Sequence, residues 1–246
     1  MTKRLPVYLY LPNLLCYLRI LLAVVGLYEA AVQSQVGQGS VFAVWIWIAS
    51  CGLDAIDGPL ARRLQQSSRL GVLLDICADN ILRTCIWIAA AVAAVSSTAG
   101  RATSLDNSTS SHPSAAGVVL MAAFIIALEW ITMVSTQVHA AADNSHWKTA
   151  RAQDPWFIQF FFRNQFRNPL GILGLFGLFS ANLFTYGAHY AVFYERIPLF
   201  SVWLILAFVG RGLSGVCELY FCYSYLSFVV QKDHSDKEQV ASRKGD

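Results

Sequence analysis

"GLDAIDGPLARRLQQSSRLGVLLDICADN", residues Gly52 to Asn80, sets Asp54, Asp57, Asp75 and Asp79 into a run otherwise dominated by Leu, Ile, Val and Ala. On a helix turning about 100° per residue, Asp57 falls roughly 60° round from Asp54, and Asp75, Asp79 and Arg83 step by only about 40° each. Each flank therefore reads as a helix with one acidic face. The intervening "GPLARRLQQSSRLG" is short enough to make the two helices antiparallel neighbours and to bring those faces together.

The surroundings of this hairpin are apolar. With 56% hydrophobic and 13% charged residues and a mean hydropathy of +0.48, the chain lies well away from soluble domains. Spans of roughly 17–25 apolar residues cross a bilayer, and six are found at approximately 14–33, 41–60, 71–96, 116–139, 169–190 and 198–230. The expectation is an all-α polytopic membrane protein with about six transmembrane helices. Residues 1–230 form one membrane domain, and the polar tail 231–246 is predicted to be disordered. The N-terminal segment runs into the first span without a small-residue cleavage site, so that span is expected to remain as an anchor.

Orientation follows from Lys and Arg, which cytoplasmic loops retain. The N-terminus (Lys3, Arg4), the second loop (Arg62, Arg63, Arg69), the fourth loop (Lys148, Arg151, Arg163, Arg167) and the tail (Lys232, Lys237, Arg243, Lys244) hold most of the 18 basic residues. Both termini and the aspartate hairpin are thus predicted to be cytosolic. The net charge of +3 reads as topology plus attraction to anionic membrane lipids. No cluster has the density or aromatic interleaving of a nucleic-acid interface. The opposite side carries the sequon Asn107-Ser108-Thr109, consistent with a lumenal loop. The six cysteines lie in apolar segments without metal-type spacing and read as small buried hydrophobes.

Four converging carboxylates repel one another unless cations sit among them. Hard divalent ions with oxygen ligands meet that need, and Mg²⁺ or Mn²⁺ commonly joins carboxylates to substrate phosphates. A single intramembrane acid can be a packing residue, but each costs roughly 2.5–3.5 kcal/mol on insertion scales at a helix centre. Four at matched helical spacing point to a site. Gly58, Ala61 and Gly71 add little bulk, which leaves room for a ligand, and Arg62 supplies a planar donor fork for phosphate.

The pattern Asp54-x2-Asp57-Gly58-x2-Ala61-Arg62-x8-Gly71-x3-Asp75-x3-Asp79 resembles the signature of the CDP-alcohol phosphotransferase family, with every defining position occupied. The resemblance implies a six-helix membrane enzyme, usually homodimeric, that transfers a phosphatidyl or related group from a CDP-linked donor to an alcohol and releases CMP. It implies that Asp54, Asp57 and Asp75 ligate two divalent ions, and that Asp79 acts as general base close to the second ion. Gly58, Ala61, Arg62 and Gly71 would border the CDP moiety.

The opening "YLPNLLCYLRI" and the hairpin are most similar to eukaryotic phosphatidylinositol synthases. This implies CDP-diacylglycerol as donor, a small polyol, myo-inositol, as acceptor, and a location in the endoplasmic reticulum with the site facing the cytosol. Asn80 stands where those synthases usually have arginine, and Glu129 where their fourth helix has aspartate. "LLDICADN" leans toward phosphatidylglycerophosphate and cardiolipin synthases, so those acceptors stay open, as does a catalytically silent scaffold of the same fold. Asn13 is expected to reach the nucleotide. Arg19 is expected either to reach a phosphate or to pair with Glu129. Arg83 either pairs with Asp79 or lines the acceptor pocket, and Arg211, seven residues before Glu218 on one helical face, is structural or an acceptor contact. "DPWFIQFFFRNQFRNP" from Asp154 reads as an interfacial stretch with its aromatics at the headgroups, and Gly171, Gly174 and Gly177 as points of close helix packing.

Overall fold

The computed structural model describes residues 6–103, 114–143, 154–164 and 166–244; the Asn107 sequon lies outside them. After a short 3-10 turn at Val7–Leu9, eight helices follow among the described residues: α1 (Leu11–Gln35), α2 (Val41–Arg63), α3 (Arg69–Thr103), α4 (Ala115–Asp143), α5 (Trp156–Phe162), α6 (Pro169–Gly187), α7 (Ala191–Tyr194) and α8 (Phe200–Lys244). Six of them, α1 to α4, α6 and α8, are long and apolar enough to cross a membrane, in agreement with the six spans expected. The protein is a multi-pass membrane protein. Helix α8 continues through residues 231–244, over the polar stretch whose composition suggested disorder.

The polarity of the chain is that of a molecule in lipid. Phe42, Trp45, Leu120, Phe124 and Ile205 are each more than 60% exposed. Asn13, Arg19, Ser50, Asn80, Arg83, Glu129, Asn182 and Arg211 are buried. An apolar exterior around buried polar groups suits hydrocarbon, where an unpaired polar group has no water to turn to.

The residues group into two compact units, Met1–Ile126 with Phe179–Ile205, and Ala127–Leu178 with Leu206–Asp246. In the first, α1 packs on α2 and α3 through small residues: Ala23, Ala30, Ala43, Ala89, Ala90 and Ala93 are fully buried. Trp47 lies where a side chain on Gly26 would stand, and its indole N–H donates to the Ala23 carbonyl at 3.3 Å. Far from the aspartates, the Ser34 and Tyr190 hydroxyls meet at 2.6 Å, and Ser40 N–H donates to the Tyr186 hydroxyl at 2.9 Å. Burial raises the Tyr190 phenol above its ordinary pKa, and the bond to Ser34 only partly offsets this.

The hairpin between α2 and α3 closes by local chemistry. Gln65 adopts φ 54°, Gln66 N–H reaches back to the Ala61 carbonyl at 2.9 Å and Gln65 N–H to that of Arg62 at 3.3 Å. This is the Schellman pattern that satisfies the last carbonyls of a helix. Ser68 Oγ then accepts from Gly71 N–H at 3.0 Å and caps α3. Gln66 Oε1 accepts from Leu11 N–H at 3.0 Å, tying the hairpin to the start of α1.

In the second unit, Ile158, Phe161 and Phe162 of α5 are buried with Cys217 of α8. Phe161 and Phe162 therefore fill this unit's interior, which corrects their expected place among headgroups; Trp156, Arg163 and Arg167 are exposed as expected. Asn168 organises the turn into α6. Its Oδ1 caps the helix at Gly171 N–H (2.9 Å), and its Nδ2 donates to the Phe161 and Arg163 carbonyls (3.0 Å each). Asn168→Ala removes the cap and strands two carbonyls, so a loss of about 1–2 kcal/mol is expected, read as a lower melting temperature in detergent.

Gly171 and Gly174 abut the α5 segment, and Gly177 abuts the backbone of Gly210 and Arg211. Their expected role in close packing is what these contacts describe. Gly210, their counterpart on α8, was not foreseen.

Candidate functional site

The four aspartates converge on one guanidinium. Arg19, from α1, is 1% exposed. Its Nη1 lies 2.8 Å from Asp57 Oδ2 and 2.8 Å from Asp75 Oδ1, and its Nη2 lies 2.8 Å from Asp54 Oδ1 and bonds Asp79 Oδ1. Asp54 and Asp57 come from α2, and Asp75 and Asp79 from α3, so the acidic faces inferred from helical spacing do meet. Arg19 is held from behind by α2, where Ser50 Oγ donates to the Arg19 carbonyl at 3.2 Å. The carboxylates differ in access: Asp57 is 9% exposed, Asp79 25%, and Asp54 and Asp75 41% each. The more open pair could meet a ligand from outside while the less exposed pair anchors the cluster.

Arg19 among four carboxylates, with Arg83 also acting on Asp79, still leaves negative charge in excess, and added cations are the natural balance. The donor set fits a hard divalent ion: one oxygen from each of Asp54, Asp75 and Asp79 lies within 4.8 Å of the others, and carboxylate oxygens are the ligands Mg²⁺ and Mn²⁺ favour. A second grouping adds Cys16 Sγ to Asp57 and Asp75, with the thiol 3.8 Å from Asp57 Oδ2. Cys16 had read as a small hydrophobe. It stands three residues before Arg19, one turn away on the same face of α1, which is the signal that could have placed it.

The residues expected near the nucleotide lie on the three helices that carry Arg19 and the aspartates. Gly58 lies under the Arg62 guanidinium, whose Nη1 would be 3.5 Å from a Cβ there, and Arg62 itself is exposed. Ala61 and Gly71 are half-buried. Asn13 is fully buried, with Nδ2 donating to the Val7 carbonyl at 2.7 Å. Its Oδ1 is a buried acceptor without a hydrogen-bond partner among the described residues and would stand 2.8 Å from a Cβ on Gly71. Asn13 and Gly71 thus share one small space.

Beyond Asp79, Arg83 bonds Asn80 Oδ1 and lies 5.3 Å from the centre of the Phe179 ring, a cation–π distance. Asn182 Nδ2 approaches the Arg83 carbonyl at 3.5 Å. The residue that departs from the inositol pattern, Asn80, thus contacts Arg83.

Within the second unit, Arg211 lies 3.3 Å from Glu129 and 2.9 Å from Glu218. Glu129 is therefore paired with Arg211, and the expected Arg19–Glu129 pair gives way to Arg19 among the aspartates. Two carboxylates around Arg211 favour the structural role considered for it.

A family model described as CDP-alcohol phosphatidyltransferase matches residues 9–198, which include the whole aspartate cluster. The chain is 29% identical over 163 residues to CDP-diacylglycerol--inositol 3-phosphatidyltransferase 1 of Arabidopsis thaliana, covering 66% of this chain and 60% of the plant protein. It is 35% identical over 74 residues to CDP-diacylglycerol--inositol 3-phosphatidyltransferase of Drosophila melanogaster, covering 30% of each. The protein of that name from Saccharomyces cerevisiae is 34% identical over 71 residues, 29% of this chain and 30% of the yeast protein. The matched stretches thus span between three-tenths and three-fifths of these relatives' lengths. No solved structure matches the chain.

Proposed function

Because the chain belongs to the CDP-alcohol phosphatidyltransferase family, we propose that it transfers the phosphatidyl group of CDP-diacylglycerol to a hydroxyl of myo-inositol and releases CMP. The observation that carries this reading is the convergence of Asp54, Asp57, Asp75 and Asp79 from two helices within reach of one another. The names of the relatives support inositol as the acceptor.

In the reaction, the acceptor oxygen forms a new bond to the phosphatidyl phosphorus. The bond from that phosphorus to the bridging oxygen breaks, and CMP leaves with that oxygen and its electron pair. Asp54, Asp57 and Asp75, with Asp79 beside them, would hold two Mg²⁺ or Mn²⁺ ions, which supply neutralisation of charge on the diphosphate oxygens. Asp79 takes the hydroxyl proton as general base. Arg62 pairs with phosphate, and Gly58, Ala61, Gly71 and Asn13 line the CDP moiety. Arg83, steadied by Asn80 and Phe179, borders the acceptor.

Overpacking by one methyl commonly costs 1–3 kcal/mol. If that penalty falls on the donor complex, Gly71→Ala, whose Cβ would crowd Asn13 Oδ1, raises KM for CDP-diacylglycerol by about ten- to hundredfold. KM for inositol should stay nearly unchanged. The Lys and Arg distribution supports a site and both termini in the cytosol, and the family resemblance supports a homodimer in the endoplasmic reticulum.

The test is CMP release by purified protein given CDP-diacylglycerol, Mn²⁺ or Mg²⁺ and, separately, labelled inositol, glycerol 3-phosphate or serine. Release with inositol alone is expected. Release only with glycerol 3-phosphate would reassign the acceptor, and no release by folded protein with any alcohol would leave the scaffold.

A further inference from the structure

The geometry points to Arg19 as a resident counter-cation of the aspartate cluster, one that assembles the four carboxylates and opposes the divalent ions for which they are built. Arg19 is thus a positioning residue. This inference rests on the metal-dependent reading of the site above.

A guanidinium has four terminal N–H groups and one on Nε. Here the two terminal nitrogens meet four carboxylates, Asp57 and Asp75 on Nη1 and Asp54 and Asp79 on Nη2. The side chain is 1% exposed, and Nε is buried without a hydrogen-bond partner among the described residues. So many carboxylates on one planar fork bring α2 and α3 to a common point that neither helix defines alone. Divalent ions seek the same oxygens and the same negative potential. The guanidinium lowers that potential and occupies one oxygen of each acid, so its presence costs the metals affinity. By reciprocity, bound metal loosens the hold of the acids on Arg19. A residue that merely braced the helices would act otherwise: its loss would disorder the ligands and weaken metal binding.

The test uses the full-length, detergent-purified protein as wild type, Arg19→Met and Arg19→Lys. Mn²⁺ binding is measured from the paramagnetic resonance signal of free Mn²⁺, and melting is followed in EDTA and in saturating Mn²⁺. Arg19→Met is expected to bind Mn²⁺ roughly tenfold more tightly, within the range usual for coupled ligands. It should melt below wild type in EDTA and approach it in Mn²⁺. Arg19→Lys, which keeps the charge but has fewer donors, should fall between. Equal or weaker Mn²⁺ affinity in an Arg19→Met protein that melts cooperatively in Mn²⁺ overturns the inference. If Arg19→Met does not fold in either condition, Arg19→Lys decides by the same criterion. Folded wild type that binds no Mn²⁺ would overturn the metal reading itself, whereas Mn²⁺ bound alike by all three proteins would overturn only the role of Arg19.

Discussion

Asp79→Asn is expected to lower the rate of CMP release by roughly 10²–10⁴-fold, the usual contribution of a positioned general base. Asparagine matches aspartate in shape and keeps an oxygen that can accept the Arg19 bond, so the hairpin should stay closed. What it lacks is basicity: the amide cannot take the proton of the acceptor hydroxyl. The loss should therefore appear in kcat. Raising Mn²⁺ should not restore it, because added metal replaces a missing charge but not a missing base. Release within tenfold of wild type would assign the proton to another group and leave Asp79 as a ligand only.

The second large effect concerns folding. A Cβ on Gly177 would fall on the backbone of Gly210 and Arg211, and one on Gly210 would fall on the Leu173 carbonyl. Where two backbones touch there is no side chain to swing aside, so α6 and α8 could admit Gly177→Val only by separating. Overpacking typically costs 1–3 kcal/mol and occasionally more, and backbone-to-backbone contact belongs at the upper end. In lipid the penalty is not recovered elsewhere, because helix association rests on close packing of small residues. A large fall in melting temperature and in the monodisperse fraction is expected by chromatography in detergent. Gly212→Ala, two residues along α8 from Gly210, meets nothing within 4 Å. It should be neutral or stabilising by up to about 1 kcal/mol, the helix preference of alanine over glycine. Equal damage from both substitutions would show that the effect is general to glycine replacement in α6 and α8 and not specific to the crossing.

What could be read from the sequence follows the range of each signal. The membrane helices were legible because length and hydropathy belong to each segment alone, and the acidic faces because Asp54, Asp57, Asp75 and Asp79 lie on helices joined by one short loop. The cap on α3 was carried in Ser-Ser-Arg-Leu-Gly. The partner of those aspartates was not legible, since Arg19 is a lone cation on another helix and spacing within α1 cannot select Asp57 over Glu129. Gln65 gave no warning of its positive φ, because glycine usually marks that position. Phe161 and Phe162 misled for a different reason. An aromatic run beside arginines has the composition of a headgroup anchor, and only the packing against Cys217 places it inside. Arg211 was open in sequence because one of its two partners, Glu129, lies on another helix.

The charge balance also has an order in time. Asp57 follows Arg19 by 38 residues, Asp75 by 56 and Asp79 by 60. As the chain is synthesised, the first span emerges carrying a cation whose anions do not yet exist. Burying that unmatched arginine in lipid costs a few kcal/mol even on the mildest insertion scales. Electrostatically, then, the charge on the first helix is fully matched only when the third has arrived, and α1 to α3 share one charge balance.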